Sequence, residues 1–380
     1  MRLIYLDYNA TTPIAPSVVE AMNPFFSGHY GNPSSAHSMG RAAREAIEDS
    51  RSKVAGLLGC DLSEIVFTSG GTEANNLAIK GVMLQGQPGS GHLIISAIEH
   101  PAIVEPARFL ERLGYEVTVV PCDEHGLVSP SSVEAAFRPD TRLVSIMHAN
   151  NEIGTIQPIR QIAEICHGRG ILLHTDASQS VGKIPTFVDQ LDVDMLTVAC
   201  HKLYGPKGIG ALFVREGVGL EPLLHGAAHE NGMRAGTENT PYIVGMGQAS
   251  YLAANCLDES AESMSKLRDR LHDRLANAIP GLTVNGEKAK RLPNTLSVTF
   301  PGVGGQEILQ RVPEICASTG SACHSGGLVE SATLAALGKS NEEIAGTVRL
   351  CVGWYSSEEE IDRASNLLID AWEILAVSAS

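Results

Sequence analysis

Lys202 stands at the junction between an apolar run, LTVAC at 196–200, and a stretch holding three glycines and a proline within eight residues. The run suits a buried strand, and the glycines suit tight loops. Open α/β sheets bind their ligands at such strand ends. A lysine that merely snorkels out of a strand end would leave the same trace. Asp176 shifts the balance, because it too ends an apolar run, in ILLHTDASQS at 171–180. A lysine able to form a Schiff base and an aspartate able to pair with a pyridinium nitrogen are what pyridoxal phosphate demands of a protein.

Other candidates fall at matching places. SGGTEANN at 69–76 follows the strand-like EIVFT and opens a helical pattern. Backbone N–H groups at such a helix start suit a phosphate, and Thr72 adds a hydroxyl; a plain strand–helix connection reads the same. His100 follows the next strand, Asn151 lies in HANNE at 148–152, and His201 precedes the lysine. Arg349 sits inside an apolar strand, TVRLCVG, where its charge needs a carboxylate, either structural or a substrate's. Cys323 lies among small and polar residues, STGSACHSGG at 318–327, a stretch expected to be exposed and mobile. An exposed thiol is a liability unless it reacts; an incidental surface thiol is the other reading. His225 and His229 are four apart, but no third ligand is obvious and no metal site is expected.

Strands and helices must alternate to bring these residues together. Strands are expected at 64–68, 92–96, 115–120, 142–147, 171–176 and 196–200, with helices at 38–58, 101–113 and 159–169 between or before them. That alternation predicts an α/β fold with a mostly parallel sheet covered on both faces. Parallel strands place their ends on one edge, so Gly71, Thr72, His100, Asn151, Asp176, His201 and Lys202 can share a pocket. A single helix is expected at 17–26. A long, interrupted helical region is expected at 241–278, with a domain boundary near 255. Strands at 294–300, 315–318 and 348–352 and helices at 307–312 and 358–375 then suggest a smaller α+β domain. The expected organisation is an N-terminal arm, 1–15, packing with the small domain; a large cofactor-binding domain, 16–255; and a small domain, 256–380, carrying the Cys323 loop.

The chain has 380 residues and is 43% hydrophobic, enough for a full core in two domains. Its net charge of −15 argues against a nucleic-acid backbone or an anionic membrane surface as partner. Eight cysteines include no CxxC pair, so a zinc or iron–sulfur cage within the chain is not expected. The N-terminus, MRLIYLDYNATTP, does not read as a secretory signal, and no apolar run approaches membrane-spanning length. A reducing cytoplasm with free thiols fits.

Ten ordered blocks together resemble the cysteine desulfurases, class V members of the fold-type I pyridoxal phosphate enzymes: YLDYNATTP, GNPSS, FTSGGTEANNLAIKG, EHPA, MHANNEIG, HTDASQSVGK, HKLYGPKGIGAL, HENGMRAGTENTP, STGSACHS and VRLCVG. The resemblance implies a seven-stranded-type sheet and a homodimer with its site at the subunit boundary. It implies conversion of L-cysteine to L-alanine, with sulfur passing to an enzyme cysteine and on to an acceptor such as a scaffold protein, for iron–sulfur cluster assembly or thiolation. By position, Lys202 resembles the Schiff-base lysine. Asp176 would pair with the ring nitrogen and Gln179 with the ring hydroxyl oxygen. His100 would stack on the ring and handle protons, and Asn151 would touch the cofactor and substrate. Gly71, Thr72 and His201 would hold the phosphate, with Thr237 from the partner chain; Arg349 would grip the substrate carboxylate, and Cys323 would take the sulfur. Ala199 stands where many relatives have a phosphate-binding serine. ACHS at 322–325 and ENTP at 238–241 are similar to selenocysteine lyases on the same scaffold.

Overall fold

The computed structural model describes residues 3–319, 321–324 and 327–379. Its centre is a seven-stranded sheet in the spatial order Ile65–Thr68, Gly210–Val214, Met195–Ala199, Leu172–Asp176, Thr141–Ser145, His92–Ser96, Glu116–Val120. Gly210–Val214 runs antiparallel to both its neighbours; the other pairings are parallel. The apolar runs show why: IVFT, HLIIS, MLTVA and GALFV are buried along their whole length, as strands covered on both faces must be. Helices Gly71–Met83, Pro101–Arg112 and Ile159–His167 make the crossovers that parallel pairing requires.

A second, antiparallel sheet follows the order Ser318–Thr319, Thr347–Cys351, Thr295–Thr299, Thr283–Val284. The N-terminal arm lies against it: Ile4–Tyr5 pairs in parallel with Ile315–Cys316 as a separate two-stranded sheet, and Asp7 bridges to Cys351 of the second sheet. Ser321–His324 pairs with Gly327–Glu330 as a hairpin, so the stretch read as a loop carries strand pairing, with Cys323 opposite Leu328. The side chains of residues 320–330 lie outside the described residues, and with them the exposure expected of Cys323.

Two helix expectations are corrected. The helix expected at 17–26 is two, Pro16–Met22 and Pro24–Ser27, because Pro24 cannot continue the first. The interrupted region at 241–278 is one unbroken helix, Thr240–Ala278, of 39 residues. The glycines that weaken its pattern are contact points. A Cβ on Gly247 would lie 2.6 Å from Ser50 Cα, so helix Ser38–Leu58 packs against bare backbone there. The N-terminal half of the long helix buries Ile243, Met246, Ala249 and Ala253 with the central sheet. Its C-terminal half buries Met264, Leu267, Leu271 and Leu275 with the second sheet. The boundary expected near 255 therefore falls inside a continuous helix that both cores share.

One buried ion pair anchors the site's surroundings. Arg51 Nη1 donates to Glu230 Oε2 at 2.7 Å and Nη2 to Oε1 at 2.9 Å. Arg51 Nη1 also donates to Ile65 O, and Phe67 N donates to Glu230 Oε2, so the pair ties helix, strand and the 225–236 segment together. Arg51→Ala would leave a buried, uncompensated carboxylate, and about 3–5 kcal/mol of stability should be lost. Denaturant unfolding of the variant measures this; a loss below ~1 kcal/mol would contradict it.

Candidate active site

Five strands end at one edge of the central sheet and deliver the loops that carry Gly71, His100, Asn151, Asp176 and Lys202. Between them opens a cavity of about 320 Å³. Gly71, Thr72, His100, Asn151, Asp176, Gln179, His201 and Lys202 line it. Arg349 stands just outside the lining, and its Nη1 donates to Asn151 O at 3.0 Å. Thr237 is not brought in: it lines a separate depression with Ser69, Arg234 and Glu238. Cys323's side chain lies outside the described residues.

Lys202 is the pivot. The strand Met195–Ala199 passes into a single 3₁₀ turn, Cys200–Lys202, which swings the side chain inward. Its Nζ donates to Ala10 O at 2.8 Å and also to Asn9 O. Burial and the nearby Arg349 charge push this amine down to about 8, with Asp176 opposing. The loop is clamped by the N-terminal arm: Thr12 N and Oγ1 both donate to His201 O at 3.0 Å, and Tyr204 N donates to Thr12 Oγ1 at 2.9 Å.

Asp176 is 7% exposed, and two donors hold it. Asn75 Nδ2 donates to its Oδ2 at 2.7 Å and Ser178 N to its Oδ1 at 2.9 Å. Below it, His174 bridges Ser145 and Thr197 and is pushed down to about 4 by burial, so it is a neutral support at pH 7. His100 caps helix Pro101–Arg112: its Nδ1 accepts from Ala102 N at 3.0 Å. A neutral ring must then carry its proton on Nε2. Burial lowers the pKa of His100. The adjoining Glu99 is pushed up to about 8 by burial, while Ser96 Oγ and Met147 N donate to its Oε1. His201 is pushed down to about 4 by burial and by Lys202 and Lys207, so at pH 7 it offers a hydrogen bond, not a charge.

These residues fit pyridoxal phosphate. Helix Gly71–Met83 starts at the cavity wall with its first N–H groups unclaimed by the helix. The cradle there exists because residue 71 is glycine: a Cβ would lie 3.1 Å from Ser178 Oγ and 3.2 Å from Ala199 Cβ. Ala199 presents only a methyl, and the Ser178 hydroxyl stands beside it. Asn75 Oδ1 is buried without a partner among the described residues. Arg349 Nε is likewise buried and unpartnered, although Nη2 is held by Asp7 Oδ1 at 2.7 Å and by Ser318 Oγ at 3.2 Å.

Sequence reasoning missed several of these groups. Asp7, Asn9 and Lys183 lie within blocks that carried the resemblance, but nothing gave them roles. An acid and a lysine inside apolar context were the available signals, as for Arg349. Asn75 follows Gly71 by four residues, the spacing that puts it on the same helix face. His225, beside Glu221, is exposed, and His229 Nδ1 accepts from Gly236 N. Among the described residues no cluster of three or more potential ligands could hold a metal.

Comparison with known proteins gives a consistent picture. The family model for class-V aminotransferases matches residues 4–364. The chain is 46% identical over 369 residues to the cysteine desulfurase IscS of Dictyoglomus turgidum, covering 97% of this chain and 94% of that one. Among solved structures it is similar to a NifS-like protein, with a TM-score of 0.90, 39% identity and coverage of 99% and 100%. It is also similar to SspA in complex with cysteine, with a TM-score of 0.83, 39% identity and coverage of 93% and 99%.

Only the unprotonated Lys202 amine is a nucleophile. Its lowered pKa therefore predicts that the apoprotein captures pyridoxal phosphate faster as pH rises, levelling off above about 8. Stopped-flow absorbance between about pH 6.5 and 9.5 tests this. A rate still climbing at the top of that range would show an amine of ordinary basicity.

Proposed function

We infer, from the premise that the chain belongs to the class-V aminotransferase family, that it is a pyridoxal-phosphate-dependent cysteine desulfurase. The observation that carries this reading is the half-buried Lys202 amine, lining one cavity with Asp176, with its pKa lowered partly by the nearby Arg349 charge. When bound, pyridoxal phosphate supplies an electron sink for bonds broken at the substrate's α-carbon. Asp176 would keep a proton on the ring nitrogen by opposite charge in a buried setting. Gly71, Thr72 and a neutral His201 would hold the phosphate, Gln179 would hold the ring hydroxyl, and His100 and Asn151 would contact the ring.

Arg349 aligns the amino acid by a charge-assisted contact between its guanidinium and the substrate carboxylate. Lys202 Nζ, unprotonated in a useful fraction near pH 8, takes the α-proton. The Cys323 thiolate attacks the substrate sulfur. An S–S bond forms as the substrate's C–S bond breaks. The electron pair of that bond stays on carbon, takes a proton, and leaves as the methyl group of alanine. Cys323 is left as a persulfide, which a thiol acceptor collects. Pairing between Ser321–His324 and Gly327–Glu330 supports a thiol carried on a hairpin arm from the second sheet.

The reading extends to a homodimer in which Thr237 serves the neighbour's phosphate; its place in a separate depression, not in the Lys202 cavity, supports this. We place the enzyme in the cytoplasm, donating sulfur to a scaffold or thiolation protein. The described cysteines are all free, and no described helix is long and apolar enough to cross a membrane. ACHS at 322–325 favours L-selenocysteine as a second substrate of the same site.

Two experiments test this. Cys323→Ser should bind L-cysteine and change the cofactor's absorbance, yet form no protein persulfide and release little alanine; selenocysteine turnover should be retained because its C–Se bond is weaker. Persulfide found by mass spectrometry on another cysteine of the wild type would remove Cys323 from the role. Mixing Thr237→Ala chains with inactive Lys202→Ala chains should restore activity, since one site of the mixed dimer carries both defects and the other neither. Proven mixed dimers without recovery would refute the trans assignment.

A further inference from the structure

Beneath the cavity lies a second buried amine that the mechanism does not use. Lys183 is 5% exposed and closes the turn that follows Asp176. Its backbone N–H donates to Ser180 O, and the side chain runs back under the cavity floor. Lys183 Nζ donates to Gln179 Oε1 at 3.1 Å and to Asn9 Oδ1 at 3.1 Å.

An amine on lysine has donors and, when charged, no acceptor. Both amide oxygens must therefore face it, and both amide nitrogens must face elsewhere. The neighbours agree. Asn9 Oδ1 also accepts from Asn294 Nδ2 at 2.9 Å, and Asn9 Nδ2 donates to Thr295 Oγ1 at 2.8 Å and Asn151 O at 3.1 Å. Gln179 Nε2 donates one proton to Asn9 O at 3.0 Å. Its second N–H remains for the cavity that Gln179 lines. The two ends of an amide are nearly the same shape, so only such a network decides which end faces a ligand.

We propose that Lys183 is a positioning residue, which fixes the Gln179 amide with its N–H toward the cofactor's ring oxygen and holds Asn9, whose carbonyl receives Lys202. The proposal rests on the cofactor reading above. Burial holds the Lys183 amine down to about 7; Lys202 and Arg349 face it and lower it further, while Cys351 opposes them. Loss of one proton leaves two N–H groups for two acceptors. The aiming therefore persists on both sides of that pKa, and no pH switch is implied.

Lys183→Met removes the donors at similar volume. The apoprotein variant should bind pyridoxal phosphate about tenfold more weakly, by equilibrium absorbance titration, and the bound cofactor's visible band should shift. Lys183→Gln, which can still donate to one acceptor, should lie between Lys183→Met and wild type. In a Gln179→Leu background, Lys183→Met should add less than about twofold, because the amide it aims is gone. Wild-type affinity and spectrum in folded Lys183→Met overturn the proposal, as does full additivity in the double variant. If Lys183→Met does not fold, unchanged binding in Lys183→Gln overturns it. A wild-type chain that takes up no pyridoxal phosphate would instead bring down the cofactor reading, and this proposal with it.

Discussion

An amine that must lose its proton is held here between two backbone carbonyls and away from water. Lys202 sits at a strand end, and its contacts are the carbonyls of Asn9 and Ala10. Carbonyl dipoles alone would favour the charged form. Desolvation and the Arg349 charge outweigh them and bring the amine to about 8. The N-terminal arm is thus part of the site. Thr12 clamps the lysine loop, while Tyr5, seven positions earlier, pairs with Cys316 and Asp7, five positions earlier, bridges to Cys351 of the second sheet. One short segment spans both sheets and closes the cavity that lies between strand ends.

Charge balance in that cavity follows from the same closure. Arg349 is nearly enclosed and needs a carboxylate; Asp7 from the arm provides one at 2.7 Å. The pair leaves Nε without a hydrogen-bond partner among the described residues, enclosed beside the cavity. Asp176 is satisfied by Asn75 and the Ser178 N–H on one side, and the neutral His174 lies below it. His174 and His201 are kept neutral at pH 7 by burial. A low-dielectric pocket of this kind strengthens each remaining charge.

The two halves of the chain are coupled mechanically through helix Thr240–Ala278. Its first turns pack on helix Ser38–Leu58 and the central sheet, and its last turns pack under the second sheet, from which the Cys323 hairpin extends. A rigid helix shared by both cores fixes where that hairpin arises relative to the cavity. The bare backbone at Gly247 permits the close approach to Ser50.

Much of this was legible in the chain itself. Buried parallel strands read as continuous apolar runs, and their alternation with helices placed Gly71, His100, Asn151, Asp176 and Lys202 on one edge. That inference needs only the period of the pattern and the direction of the strands. The pairing that sets the electrostatics was not legible. Asp7 meets Arg349 across 342 residues of chain, Asn9 meets Lys183 across 174, and Glu230 meets Arg51 across 179. No local periodicity encodes such partners, because they are chosen by how distant segments pack. Nor could local pattern show that glycines inside residues 241–278 were contacts in one helix and not breaks in it. The sequence by itself determined which groups could do the chemistry and which edge would carry them. Tertiary structure decided their protonation, because burial and the approach of a charge from elsewhere in the chain exist only once it has folded.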